Sequence, residues 1–229
     1  MRRLFISGTD TDIGKTVLSL LLVRTLMDAG LSCVYLKPVQ TGCVDPDQDS
    51  DPATLARYLP QGLPLGMTPR QCIGVTCPAP KAPLFAKCSA AESTTITNLA
   101  AFVRKHDRAE VQIIEGAGGL FVPLNWQETM LDLAAELKAE VLLAARAGLG
   151  TINHTLLSIE ALRKYQIPCS VILLDPDGLT PEPNIRENIR AIEHFGKVKV
   201  CACIGHIADL HNPPAASLRQ LEFILSISQ

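Results

Sequence analysis

Aromatic side chains are scarce, at 4% of the 229 residues, although 47% of the chain is hydrophobic. The core must therefore be built from Leu, Ile, Val and Ala, as is ordinary in α/β proteins. An excess of basic residues is also missing: the formal net charge is −2, which gives no electrostatic footprint for nucleic acid. No apolar run is long enough for a bilayer. The most apolar helical stretch, "VLSLLLVRTLM", has 11 residues and carries Arg24, so no membrane segment is expected. "MRRLFISGTDTD" has two arginines but no long apolar region behind them, so no signal peptide is expected and the cytoplasm is the expected location. The eight cysteines, at 33, 43, 72, 77, 88, 169, 201 and 203, include no C-x-x-C pair. Without a secretory signal they are expected to be reduced, mostly buried thiols, and zinc is not expected.

What is present is a repeated alternation of strand and helix. Apolar runs of strand length occur at 3–7, 32–37, 111–116, 140–145, 169–174 and 198–204. They are continuous rather than alternating, as strands buried on both faces are. Helical patterns follow at 15–29, 51–59, 94–106, 129–137, 151–165, 184–195 and 214–226. The expected fold is a three-layer, phosphate-loop NTPase-like α/β domain: a mostly parallel sheet with helices on both faces, over residues 1–229. Half of the sixteen prolines fall between Asp45 and Ala86. A proline-rich excursion of this length inside a compact domain is usually functional or a lid. No internal repeat, heptad run or linker divides the chain.

Chemistry concentrates at the strand ends. The loop "GTDTDIGKT", Gly8 to Thr16, follows the first apolar run and opens the first helix. Backbone N–H groups and the positive helix end would surround an anion there, with Lys15 reaching phosphates and the Thr16 hydroxyl on Mg²⁺. Five residues separate Gly8 from Gly14 where the common pattern has four, and two of them are Asp10 and Asp12. In "QIIEGAGGLFVP", Glu115 on a buried strand requires a cationic partner. A Mg²⁺ held by Thr16 would supply it, and Gly116, Gly118 and Gly119 would let backbone approach phosphates. The bland alternative is a salt bridge to a surface lysine.

Three further stretches carry weaker signals. Lys37 in "YLKPVQTGC" sits at the carboxyl end of the second strand, the edge where open α/β sheets bind ligands. In "SDPATLA", Ser50 or Asp51 caps a helix. In "RAGLGTINHTLLS", a second glycine-containing turn leads into a helix whose free N–H groups could hold a carboxylate; His154 alone reads as structural.

Taken in this order, "GTDTDIGKT", "KPVQTG", "SD", "EGAGG" and "GLGTINHTLL" resemble the dethiobiotin synthetases of biotin biosynthesis over most of the chain. The longer loop spacing is that family's own form. The resemblance implies ATP-dependent closure of a ureido ring on 7,8-diaminononanoate with carbon dioxide or bicarbonate, through a carbamate and a carbamic–phosphoric anhydride. It implies Lys37, Lys15 and Thr11 as catalytic residues, and Thr16, Asp51 and Glu115 as Mg²⁺ ligands. Nucleotide contacts are implied for Asp12, Ile13, Gly14, Lys15, Thr16 and Val17, for Glu115, Gly116, Ala117 and Gly118, and for Asp175, Gly205, His206 and Ile207. Thr41 with Gly150, Thr151, Ile152 and Asn153 would bind substrate, the last four across a homodimer interface. "VILLDPDG" and "GHIAD" depart from the family pattern where the adenine base is read, and "PAPKAPLFA" (78–86) resembles its lid-like region.

Two rivals share the nucleotide core. A partitioning-type ATPase switch carries a second lysine five residues before the loop lysine, and here that position is Asp10. The C-terminal "LRQLEFILSISQ" also lacks the basic face of a membrane helix. A corrin-amidating type of amidotransferase would need a glutaminase domain, for which 229 residues leave no room.

Overall fold

The computed structural model describes residues 1–88 and 94–226. Seven strands, β1 (Arg2–Gly8), β2 (Cys33–Thr41), β3 (Ile73–Cys77), β4 (Val111–Gly119), β5 (Glu140–Arg146), β6 (Cys169–Leu174) and β7 (Val200–Ile204), form one sheet in the order β3-β2-β4-β1-β5-β6-β7. Every pairing is parallel. The helices are α1 (Lys15–Asp28), α2 (Asp51–Tyr58), α3 (Ile96–Arg104), α4 (Met130–Glu136), α5 (Thr151–Lys164), α6 (Glu182–Gly196) and α7 (Ala215–Arg219).

Side chains alternate across each strand, so continuous apolar runs feed two cores. Leu4, Ile6, Ile113 and Leu142 pack under Leu18 to Leu26 of α1, with Leu55 of α2 on the same face. Phe5, Ile114, Val141 and Leu143 face the other way, against Leu99 and Val103 of α3, Leu131 of α4, Ile159 of α5 and Ile192 of α6. Each such buried aliphatic side chain contributes roughly 1.5–3 kcal/mol of burial free energy. Helix α1 is apolar almost all round because it is covered by the sheet, α2 and α7 together. That explains why its sequence looks like a short membrane helix. Among the described residues no helix is long and apolar enough to cross a membrane.

The structure differs from the sequence reading at three places. A seventh strand, β3, lies within the proline-rich excursion and pairs only with β2, at the sheet edge where prolines and short strands are tolerated. The C-terminal helix is split into α7 and a 3₁₀ turn at Glu222–Leu225; Ile227, Ser228 and Gln229 lie outside the described residues. The third is a correction. Cys77 and Cys88 form a disulfide rather than two free thiols, and the other six cysteines are free. The cause is local: after β3 the chain turns through Pro78 to Pro83 and returns beside the strand end, bringing the two Cα atoms to 4.1 Å.

The order of the strands sets the site. β4 lies between β1 and β2, so the carboxyl ends of all three meet at one edge. Between Ile6 and Gly8 the pairing jumps from Glu115 to Gly119. Residues 116–118 therefore leave the regular ladder beside the loop that follows β1.

Candidate active site

The loop after β1 turns into α1 through two residues in the left-handed region, Asp12 (φ 52°) and Gly14 (φ 98°). Gly14 is the N-cap and no side chain caps α1, so its first N–H groups stay available to an anion. Lys15 folds back over the loop, and its ammonium donates to the Asp10 carbonyl at 2.9 Å. This close folding requires Gly8: a Cβ there would lie 2.6 Å from the Asp10 carbonyl oxygen and 3.1 Å from Lys15 Nζ. Burial, the largest influence, lowers the Lys15 pKa from its ordinary value.

Beside the loop is a buried charge cluster. Lys37, only 4% exposed, donates from Nζ to Glu115 Oε1 at 2.9 Å and to the Gly116 carbonyl at 3.1 Å, and pairs with Asp51 Oδ2 at 2.6 Å. Burial alone would lower the Lys37 pKa, but the two carboxylates outweigh it and hold it above its usual value. Asp51 is the mirror case: burial would raise its carboxyl, and Lys37 pulls it below the ordinary range. The question of which residue caps α2 is resolved. Ser50 Oγ accepts from Ala53 N at 3.1 Å, and Asp51 is left free to face Lys37. The Asp51 N–H donates instead to Gln40 Oε1 at 3.0 Å.

Glu115 is 1% exposed. Besides Lys37 it accepts from Thr16 Oγ1 at 3.1 Å on Oε1, and from Ser19 Oγ at 2.7 Å and Tyr35 OH at 2.9 Å on Oε2. The surface-salt-bridge alternative for this residue does not hold, since its cation is the buried Lys37. Sequence reading missed Ser19, Tyr35 and Gln40. Tyr35 stands two residues before Lys37 and so on the same strand face, a signal that was available.

A cavity of about 360 Å³ gathers Lys15, Thr16, Lys37, Asp51 and Glu115, with Thr11, Asp12, Gly14, Val17, Thr41, Ala117 and Gly118 around them. A larger one, about 850 Å³, shares Thr11, Asp12, Thr41, Ala117 and Gly118 with it and extends along Pro80, Lys81 and Pro83 to Leu120, Phe121 and Leu157. The small cavity is thus charged, and the large one has apolar walls. The disulfide-tied segment after β3 forms one of those walls.

Not every residue singled out in the sequence converges here. Ile13 packs into the core beneath the loop, and Gly116 contributes its carbonyl to Lys37. The Asp175 carboxylate is taken by Thr180, accepting from Thr180 Oγ1 at 2.8 Å and Thr180 N at 3.2 Å. Gly205, His206 and Ile207 follow β7, where His206 Nδ1 contacts the Pro176 carbonyl at 2.6 Å; Pro176 itself lines the small cavity. Gly150, Thr151, Ile152 and Asn153 line neither cavity of this chain. Two carboxylates and a hydroxyl form a hard-oxygen set too small for an all-protein metal cage but suited to Mg²⁺ shared with phosphates. Among the described residues there is no group of three or more His, Cys, Asp or Glu placed to hold a metal.

The profile of the AAA_26 family, an AAA domain, matches residues 2–214. The ATP-dependent dethiobiotin synthetase of Anaeromyxobacter sp. is 38% identical over 215 residues, 92% of either chain. A biotin biosynthesis bifunctional protein of Bordetella avium is 40% identical over 204 residues, and the chain spans 39% of that longer protein's length. Among solved structures, the MinC:MinD cell division protein complex of Aquifex aeolicus superposes with a TM-score of 0.61 at 11% identity, covering 98% of this chain and 96% of that one. At so low an identity this likeness speaks for the shared three-layer fold alone. Sequence similarity to a synthetase over 92% of either chain is the more specific finding, and by it the chain belongs to the ATP-dependent dethiobiotin synthetase family.

Proposed function

We propose that this chain closes the ureido ring of dethiobiotin from 7,8-diaminononanoate and carbon dioxide, with ATP as co-substrate and Mg²⁺ as the metal. The observation that carries the reading is the Lys37 ammonium bridging Glu115 and Asp51 beside the loop, in a charged cavity that shares Thr11, Asp12, Thr41, Ala117 and Gly118 with the large apolar-walled one. One cavity holds two lysines for phosphates and carboxylates for a cation that would accompany them; the other has room and apolar walls for an alkyl chain.

In this reading one substrate amine adds to carbon dioxide and loses a proton to give a carbamate. A carbamate oxygen then attacks the γ-phosphorus and ADP leaves. The second amine attacks the carbamoyl carbon of the anhydride and gives up a proton, phosphate departs and the ring is closed. Negative charge builds on oxygen throughout, and the buried ammonium groups of Lys15 and Lys37 would neutralise it. Thr11 and Thr41, shared by both cavities, would orient the reacting amine and carbamate by hydroxyl hydrogen bonds. Thr16, Asp51 and Glu115 would hold Mg²⁺, which when bound supplies further charge neutralisation at the phosphates.

The backbone from Asp12 to Val17 and from Gly116 to Gly118 would lie along the phosphates. The Asp175 turn and residues 205–207 would flank the base. Because Gly150 to Asn153 lie away from the chain's own cavities, the proposal has them serve a second copy, holding the substrate carboxylate across a homodimer interface. One domain over residues 1–229, acting in the cytoplasm, completes it. Phosphate release should require diaminononanoate and bicarbonate together; vigorous ATP hydrolysis without the diamine would sink the ligase reading in favour of a switch ATPase.

A further inference from the structure

The two oxygens of Glu115 are held differently. Oε1 faces the charged cavity, where Thr16 and Lys37 donate to it. Oε2 points away, into the interior, where Ser19 and Tyr35 donate to it at 2.7 and 2.9 Å. A carboxylate oxygen has two lone-pair sites, so two neutral hydroxyls fill Oε2 from positions outside the cavity, whereas the two donors on Oε1, Thr16 and Lys37, line the cavity and can yield there to a cation. Both donors are fully buried: Ser19 on α1 and Tyr35 on β2 are each 0% exposed. Neither lines the cavity. A phenol hydroxyl in the interior needs a partner, and this one has taken half of the acceptor capacity of one carboxylate oxygen.

We propose that Tyr35 is a positioning residue for the metal site. Together with Ser19 it pins Oε2, fixes the plane of the carboxylate and presents Oε1 alone to the cation that accompanies the nucleotide's phosphates. Glu115 is thereby a ligand through a single oxygen, which suits a small ion that keeps much of its own hydration. Outer partners that orient a ligand in this way typically govern metal affinity by about 10–100-fold. The inference rests on the proposal that Glu115 binds Mg²⁺, and its test is arranged so that the two can fail separately.

A purely structural Tyr35 would need only some acceptor, and its loss would lower thermal stability without touching the metal. The experiment is therefore a titration of Mn²⁺, followed by electron paramagnetic resonance, on the full chain with saturating ADP. It compares wild type, Tyr35→Phe, Ser19→Ala and Glu115→Gln, with melting temperatures measured alongside. Tyr35→Phe keeps the ring and its packing. It should weaken Mn²⁺ binding about 10-fold and raise the Mg²⁺ concentration giving half-maximal phosphate release in parallel, while kcat at saturating Mg²⁺ stays within about twofold. Ser19→Ala should move both in the same direction. Wild-type Mn²⁺ affinity in Tyr35→Phe, with Glu115→Gln impaired, would overturn the positioning role and leave the metal reading standing. Unchanged affinity in Glu115→Gln would remove both. If Tyr35→Phe does not fold, Ser19→Ala decides through the same oxygen, and wild-type affinity there overturns the proposal.

Discussion

The chain makes the same strand-to-helix turn twice, and only one of the two is embedded in charge. After β1 the turn ends in Gly14 at φ 98°; after β5 it ends in Gly150 at φ 91°. Neither helix has a side-chain cap or an acidic residue in its first turn, so both leave their N–H groups available. The first turn lies beside β4 and one strand from β2, and those strands bring Glu115 and Lys37 to it. The second opens on solvent, with Leu149 wholly exposed and Asn153 exposed behind it. An anion-accepting helix end is therefore common property of the fold. Under the proposed function, what neighbouring strands deliver would make the difference between a reaction site and a docking point for a charge.

Removing the delivered charge should have the largest effect. Lys37→Ala should lower kcat by about 10²–10³ or more, the scale for losing a placed electrostatic group, with ATP binding retained; near-normal turnover would take Lys37 out of the mechanism. Two carboxylates would also lose their shared cation, so the variant should be less stable. Next comes Glu115→Gln, which keeps the shape of the side chain and removes its charge. It should raise the Mg²⁺ requirement by about 10–100-fold, and an unchanged Mg²⁺ titration would place the metal elsewhere and reduce the first turn to a plain phosphate cradle.

The contrast between the turns also shows what a sequence can carry. Both turns were legible, because a glycine before a helix and a buried apolar run before a glycine are local patterns. Six strands were legible for the same reason. β3 was not: "IGVTC" is five residues long, lies among prolines, and gains strand geometry only by pairing with the edge of β2. Glu115 was marked by its residue type on a buried strand, and Lys37 and Asp51 chiefly by the family resemblance, yet their mutual contacts depend on the register of two strands and the start of α2. Tyr35 and Ser19 looked like ordinary core positions: the place of Tyr35 on the Lys37 face of β2 was readable, but the partner of either hydroxyl, one or two elements away, leaves no trace in its own sequence neighbourhood. The Cys77–Cys88 bridge was hidden likewise, because an 11-residue separation says nothing of a chain that doubles back. Asp175 shows the converse: its carboxylate closes a turn with Thr180.

A subtler substitution tests the second turn. Asn153→Asp adds a negative charge to the first turn of α5, which favours the helix but would repel a substrate carboxylate. The expected result is a KM for diaminononanoate raised about 10-fold, roughly 1.4 kcal/mol, with kcat little changed. Mixing this variant with Lys37→Ala then asks where the turn acts. If it serves the partner copy, mixed dimers hold one intact site, and an equal mixture should recover roughly a quarter of wild-type activity below saturation. No recovery beyond the sum of the two variants would assign the turn to its own chain or to no site, and the distinction between the two turns would have to be drawn differently.

The smallest expected effect concerns the feature that most separates the loops. The first carries Asp10 and Asp12; the second, "AGLG", carries no acid. Asp10 is partly accounted for by its own turn, since its carboxylate accepts from Thr11 N at 2.7 Å. Asp12 is exposed, holds φ 52°, and lines both cavities. Asp12→Asn preserves the backbone, because Asn tolerates the left-handed region at least as well, so any change would be electrostatic. A diamine approaching the phosphate cavity brings positive charge, and a carboxylate some 8 Å from it in a half-open site would stabilise it by about 1 kcal/mol. The KM for the diamine should therefore rise about fivefold, with the KM for ATP unchanged or lower because a negative charge near the phosphates is gone. A rise for ATP instead would mean that Asp12 supports the loop's own conformation, and the acidic loop would then differ from its neutral counterpart in shape rather than in charge.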